Sequence, residues 1–584
     1  MVSVTRRCYN WEKYHGGIGM NSKKLFLHDM IHNNPGLAVY ESRYKDPAFL
    51  KSRGYDAKVF DLYDCAQYGL LWDALKKGPV FPEGSPEREW VLNKKNQLLR
   101  DYNAAKAEGL RVCFMMDIIV LPVKLLELYP QIRNQAGNID ILSADMKEIL
   151  DCMFAEMFQQ FPQIDGIYIR YGETYVGPEY NTPWHTGNNP IQGEQLKYHQ
   201  YLMEYLIATV CRKYNREVYY RTWGFGAFQH DPNVYLQISD RIPVDDRFYF
   251  CIKHTTGDFH RTFLFNQCLN IGKHKQVVEV QAAREYEGKG AYPNYIAAGV
   301  IHGFEEFKWL MDPSQKQCLA DVVKAENSLV AGVWTWSRGG GWDGPYINGK
   351  NGKNGCVEVK NGSELWADVN AYVVGAWAKD PSHSDRYYAI RYAKEVLGMC
   401  EKDANIFYEI CTISNRAVLL GRARNTPIYN VSVFFTRDQN IDYPKLLDTV
   451  ASAMQADGGA TLLYEQRRSV MLWQDMIQLA QMLQDECDKK QYILTTCRYG
   501  YYLFALYEQI FKANVLARQG AAQAAIDECI QAYEEIWKQW YTLYHTAPGC
   551  PTIFAKENEI QELIGYNWNR GFDSAIDPLR DQSC

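Results

Sequence analysis

The amino-acid sequence predicts an α/β fold, a (β/α)8 barrel followed by a mostly α-helical C-terminal domain. Two observations carry this. Between about residues 25 and 340, short apolar segments alternate with longer amphipathic ones, the signature of repeated βα units on a parallel sheet. Beyond Asp380 and Pro381 the alternation stops and long amphipathic stretches take over. A chain of 584 residues exceeds what one hydrophobic core usually organises, which agrees with a large barrel and a second domain.

The strands are read in order. KLFLHDM, Lys24 to Met30, and AKVFDLYD, Ala57 to Asp64, open the series. EWVLNKKNQLLRDYNAAKAEGL then spaces its apolar residues three and four apart, as a helix does, and leads into the third strand, RVCFMMDII, Arg111 to Ile119. MKEILDCMFAEMFQQF is the next helix, and GIYIRYGE, Gly166 to Glu173, the fourth strand. EVYYRTWGF (Glu217 to Phe225), RFYFCIK (Arg247 to Lys253), VVEVQ (Val277 to Gln281) and VAGVWTW (Val330 to Trp336) complete the eight; β-branched and aromatic residues dominate them. Residues 1–23 form an N-terminal extension, 24–381 the barrel and 382–584 the helical domain, in which RRSVMLWQDMIQLAQMLQDECDKK and AAQAAIDECIQAYEEIWKQWYTLYH are the longest amphipathic runs. GPYINGKNGKNG, Gly344 to Gly355, reads as a loop after the eighth strand.

Composition excludes several function classes. A net charge of −6 without a Lys/Arg block provides no field for a nucleic-acid backbone. The first residues, MVSVTRRCYNWEKYHGG, lack the apolar core of a signal peptide, and no segment approaches the roughly 20 apolar residues that cross a bilayer. The expectation is a cytoplasmic protein without membrane partner. Sixteen cysteines are scattered through apolar runs such as RVCFMMD and FYFCIK, the placement of reduced core thiols. No CxxC pair, HExxH, GxxxxGK[ST] or GxSxG occurs, so zinc, P-loop nucleotide and serine-hydrolase chemistry have no motif, and no cofactor is expected. The 42 Tyr, 24 Phe and 15 Trp offer faces on which sugar rings stack.

Barrels carry their chemistry at the C-terminal ends of the strands. Those ends are rich in acids and bases: His28 and Asp29, Asp61 and Asp64, Asp117, Arg170 and Glu173, Arg221 and Trp223, Lys253, His254 and Asp258, Glu285, then Trp334, Trp336 and Arg338. Carboxylates facing one another beside bulky aromatics are the equipment of glycoside hydrolysis, one acid for the leaving oxygen and one base for water or the anomeric carbon. Glu173 is the acid candidate, with Asp258 and Glu285 opposite. Arg170, Arg221 and Lys253 either gather around an anionic group of the ligand or neutralise the ring of acids. Glu279 lies within its strand as an internal support, and Glu287 reads as a charge on the rim.

The motifs resemble those of the microbial α-glucuronidases of glycoside hydrolase family 67. Lys253-His254-Thr255-Thr256-Gly257-Asp258-Phe259 is similar to that family's K-N-G-P-x-D-F. Glu279-Val280-Gln281 followed by Arg284-Glu285-Tyr286-Glu287-Gly288 resembles E-[LF]-Q-x-x-Q-E-Y-x-G, with Arg284 in place of a glutamine. Tyr220-Arg221-Thr222-Trp223 looks like W-R-A-F, and Asp368-Val369-Asn370-Ala371-Tyr372 through Ala376-Trp377-Ala378-Lys379-Asp380-Pro381 like Q-A-N-x-Y…L-A-W-x-P. The resemblance implies Glu173 as general acid, Asp258 and Glu285 as the pair that activates water, Arg221 and Lys253 as carboxylate ligands, inversion of configuration, and no cofactor. Two departures stand beside it. The acid sits in Arg170-Tyr171-Gly172-Glu173-Thr174 rather than K-A-D-S-E-G, and the first strand begins near residue 24, where the family carries a further N-terminal domain.

The expected function is therefore an exo-acting glycosidase that removes a terminal acidic sugar from an oligosaccharide, with Arg170, Arg221, Lys253, Trp223, Trp334, Trp336 and Arg338 around the sugar. The alternatives are a glycosidase for a neutral or modified sugar and a non-catalytic carbohydrate-binding barrel. Helical C-terminal domains often supply dimer contacts, so a homodimer is expected.

Overall fold

Phe248-Tyr249-Phe250-Cys251-Ile252-Lys253 is buried at every position, as a parallel strand covered on both faces requires. Seven further strands join it. In the computed structural model, β1 (Phe26–His32), β2 (Ala57–Phe60), β3 (Arg111–Asp117), β4 (Ile164–Arg170), β5 (Glu217–Arg221), β6 (Phe248–Lys253), β7 (Lys275–Gln281) and β8 (Val330–Gly339) pair in sequence order, and β8 closes on β1. The structure describes residues 24–32, 42–135, 137–171, 182–185, 195–224, 226–261, 263–284, 287–339, 364–422, 436–437, 440–441, 443–484, 489–547, 549–551 and 572–580. The N-terminal extension and the Gly344 to Gly355 segment lie outside them.

The expected strands are all present, with shifted ends. β2, β4 and β5 stop at Phe60, Arg170 and Arg221, so Asp61, Tyr171 and Trp223 open loops. β1 and β8 run further than expected, to His32 and Gly339. The register between the two strands shifts between Met30 and Ile31, beyond which Ile31 and His32 pair with Arg338 and Gly339. Asp29 sits there inside β1, where it accepts from Thr335 Oγ1 (2.5 Å), Ser337 N (3.1 Å) and Ser337 Oγ (2.7 Å).

Alternation along the strands fills the barrel in layers. Near the N-terminal end, Phe26 meets Tyr219 and Tyr249 edge-on at 6.0 and 5.7 Å. Gly332 permits this, because a Cβ there would lie 2.3 Å from the Phe26 ring. Above it Tyr168 stacks on Tyr219 at 4.4 Å, touches Trp334 at 4.3 Å and shares a 2.8 Å hydrogen bond with His28 Nδ1. Aromatic rings thus occupy the lower interior, the Arg111–Glu217 ion pair lies at the N-terminal ends of β3 and β5, and further charged inward-facing residues gather at the mouth.

Capping residues set the helix starts. Ser85 accepts from Arg88 N at the head of Pro86–Ala107, and Ser384 from Tyr387 N at the head of Asp385–Glu395. Helix Leu365–Lys379 lies against β1 and β8, where Gly375 admits Leu27 closely. Beyond it the long helices Glu401–Gly421, Ala460–Gln481, Lys490–Arg518 and Gln523–Thr546 pack side by side as a helical C-terminal region. Buried polar contacts tie helix Leu365–Lys379 to the barrel and to helix Asp385–Glu395. Asp368 accepts from Tyr44, Tyr392 and Arg43, and the Asn370 amide binds Ile296 N, Ala282 O and Asn294 O. No helix among the described residues is long and apolar enough to cross a membrane. The described cysteines are free thiols, nearly all buried.

Candidate active site

Four inward-facing strand ends bring charge to the mouth of the barrel. Arg170, last in β4, forms a bidentate pair with Asp117, last in β3, with Nε to Oδ1 at 2.7 Å and Nη2 to Oδ2 at 2.8 Å. Arg221, last in β5, does the same over β6 with Glu279 of β7. Lys253, last in β6, reaches Asp258 Oδ1 at 2.6 Å. Each of the three bases proposed to gather around an anion therefore has a carboxylate partner, the arrangement of bases that neutralise a ring of acids.

Aromatic rings surround these pairs. The Lys253 ammonium lies 3.5 Å from the Trp223 ring centre and 4.6 Å from Phe259. The Arg221 guanidinium sits over Trp334 at 5.4 Å and Trp336 at 5.3 Å, a cation–π contact on both faces of the layer boundary. Trp336 also approaches His32 and Phe259, at 5.4 and 5.7 Å. Trp334 belongs to the core beneath the mouth, since it is fully buried against Tyr168, whereas Trp223 and Trp336 retain slight exposure. His32, which the sequence reading did not single out, and Phe259, the buried last residue of the Lys253–Phe259 motif, both pack against Trp336. The alternation Phe26, His28, Met30 carries His32 inward once β1 is extended to its end.

Asp258 is the catalytic candidate within the described residues; Glu173, three positions past the end of β4, and Glu285, four past β7, lie outside them. Asp258 keeps partial exposure beside the buried ammonium of Lys253. Arg338 is buried at the end of β8, with Nη1 3.6 Å from Glu364, and so links the mouth to the start of helix Leu365–Lys379. Asp64 turns away from the mouth to Lys94 on the outer helix, at 2.6 Å.

Glu287 is not a rim charge. It is buried, accepting from Arg284 Nε at 2.8 Å and Arg261 N at 2.7 Å. Burial pushes its carboxyl up, but the Arg284 guanidinium, then Arg422 and His260, outweigh that and hold it well below the usual carboxylate range. A charged turn reads as solvated from composition alone. The tertiary packing that buries it comes from Arg261, which also clamps Glu306 and reaches the Asn415 carbonyl of the helical region at 2.7 Å. His254 donates from Nδ1 to the Glu279 carbonyl at 3.2 Å, and burial, then Arg284, lower its imidazole to about 3, so it is neutral. No group of three or more His, Cys, Asp or Glu among the described residues is placed to hold a metal.

No protein-family model and no curated protein matches the chain. Solved structures do. A GH138 enzyme targeting pectin rhamnogalacturonan II superposes with a TM-score of 0.54 at 12% identity, over 96% of this chain and 67% of that one. A point mutant of the O-GlcNAc hydrolase of Thermobaculum terrenum matches at 0.38 and 10% identity, over 96% of both chains. CpGH84D matches at 0.39 and 10%, over 96% of this chain and 76% of its own. At such identities the first of these likenesses describes a shared fold.

Proposed function

We propose that this protein is a glycoside hydrolase, exo-acting, which removes a terminal acidic sugar from an oligosaccharide. The observation that carries the reading is Asp258, partly exposed at an aromatic-rimmed barrel mouth and held by Lys253 at 2.6 Å. A carboxylate so placed is oriented for work on a ligand in the opening, and the chain positions of Glu173 and Glu285 follow strand ends of the same face. In this reading Glu173 protonates the leaving oxygen, Asp258 and Glu285 activate water, and the anomeric configuration inverts. Direct attack by water needs acid and base roughly 6.5–9.5 Å apart. Trp223 and Trp336 offer the sugar its stacking faces. The fold shared with a pectin-directed GH138 enzyme supports a glycosidase, and the motif resemblance supports the acidic sugar.

A second reading, a glycosidase for a neutral or modified sugar, is favoured by one observation: Arg170, Arg221 and Lys253 are all engaged by carboxylates. The test is hydrolysis of a panel of aryl uronides, aryl neutral glycosides and natural acidic oligosaccharides, with NMR of the released anomer. Release of a uronic acid in inverted configuration supports the proposal. Release of neutral sugars alone selects the second reading, and saccharide binding without turnover selects a non-catalytic barrel.

A further inference from the structure

Three strand-end bases are paired with carboxylates, yet one arginine beside the candidate site is not fully used. Arg284, three residues past the end of β7 and next in sequence to Glu285, donates from Nε to Glu287 at 2.8 Å. Its Nη1 and Nη2 are buried and have no hydrogen-bond partner among the described residues. A buried polar group is almost always satisfied, and a guanidinium left with its terminal donors unmet is costly enough to need an explanation. The backbone adds a second observation. Arg284 has φ +57°, the left-handed region that side chains other than glycine seldom adopt, and such residues cluster at ligand clamps.

Surroundings define what the free edge accepts. A guanidinium presents two parallel N–H donors to a planar, bidentate anion, and contact with a carboxylate is strongest where water is excluded. Glu287 engages Nε and leaves the two buried Nη groups without a partner among the described residues. His254, at the end of the neighbouring β6, is neutral and brings no second cation, and its Nε2 is likewise buried without a partner among the described residues.

We infer that Arg284 is the residue that receives the anionic group of the substrate, its two terminal nitrogens closing on one carboxylate. The inference rests on the glycosidase reading and assigns its acid specificity to a residue other than Arg170, Arg221 or Lys253.

The test is isothermal titration of the full chain and of Arg284→Gln with D-glucuronate and D-galacturonate, against D-glucose and D-galactose. Loss of the carboxylate contact weakens uronate binding by about tenfold or more, while neutral sugars change by less than about twofold. A folded Arg284→Gln protein that keeps the wild-type uronate preference overturns the inference and leaves the glycosidase reading standing. A wild-type protein that neither binds nor hydrolyses any saccharide overturns both. If Arg284→Gln does not fold, wild-type crystals soaked in D-glucuronate decide. A carboxylate oxygen within hydrogen-bond distance of Nη1 or Nη2 supports the inference, and a carboxylate seated on Lys253 or Arg221, or only water at Arg284, overturns it.

Discussion

Arg221 of β5 and Glu279 of β7 meet over the intervening β6, Nη2 to Oε1 at 2.6 Å and Nε to Oε2 at 3.1 Å, with both side chains about 1% exposed. The guanidinium is also held above Trp334 and Trp336, so this pair forms the boundary between the aromatic interior and the polar mouth. A buried pair need not add net stability, but removing one member leaves an uncompensated charge in a medium that cannot solvate it.

Arg221→Met is therefore expected to lower unfolding stability by about 3–5 kcal/mol, while Arg221→Met combined with Glu279→Leu recovers much of the loss. Urea unfolding of the single and double variants reads this directly. A single variant within about 1 kcal/mol of wild type would show that Glu279 finds another partner.

Asp29 predicts a pH dependence. Burial pushes its carboxyl up to about 8, against the lowering pull of the Thr335 and Ser337 hydrogen bonds. The folded protein thus keeps this proton over a range in which the unfolded chain, with an ordinary value of 3.8, has released it. More protons bound in the folded state means that stability falls as pH rises, here between about pH 4 and 8, and levels off above. Asp29→Asn retains an oxygen acceptor and an uncharged group, so its stability curve is expected to be flatter than wild type across that window. Parallel curves for the two proteins would remove Asp29 as the source of the slope.

Much of this was legible in the chain because parallel barrels impose a simple code. Strands covered on both faces read as continuous apolar runs, as FYFCIK does, and their order alone implies closure when helices intervene. The strand-end acids and bases were legible for the same reason. What the chain did not disclose was pairing. Whether Arg221 meets a ligand or Glu279 depends on register between β5 and β7, which are not neighbours in the sheet, and no local pattern encodes it. Glu287 was misread because its burial comes from Arg261 and the helical region, far away in sequence. β1 runs past the expected Met30 because Ile31 and His32 go on pairing with Arg338 and Gly339 of β8, a cross-strand match that the β1 segment alone does not show.

Glu173→Gln tests the acid assignment. Loss of a proton donor to the leaving oxygen is expected to lower kcat on an unactivated glycoside by about 10²–10⁴-fold. An aryl glycoside with a good leaving group needs little protonation and should retain far more of its rate. Equal losses on both substrates would point to a binding role for Glu173, and undiminished turnover would take it out of the mechanism.

Lys253 separates the two roles open to the mouth's bases. If its ammonium serves to orient Asp258, which it meets at 2.6 Å, then Lys253→Ala disturbs the carboxylate proposed to activate water, whatever sugar is bound. The expected result is a fall in kcat of about tenfold or more on uronides and neutral glycosides alike, with KM changed little, because the interaction is needed in the transition state rather than in substrate binding. A ligand for the sugar carboxylate behaves in the opposite way: its loss raises KM for uronides and leaves neutral substrates unaffected. Steady-state kinetics of Lys253→Ala on a matched uronide and neutral pair distinguishes these outcomes, and a uronide-specific rise in KM would return Lys253 to the role of anion ligand.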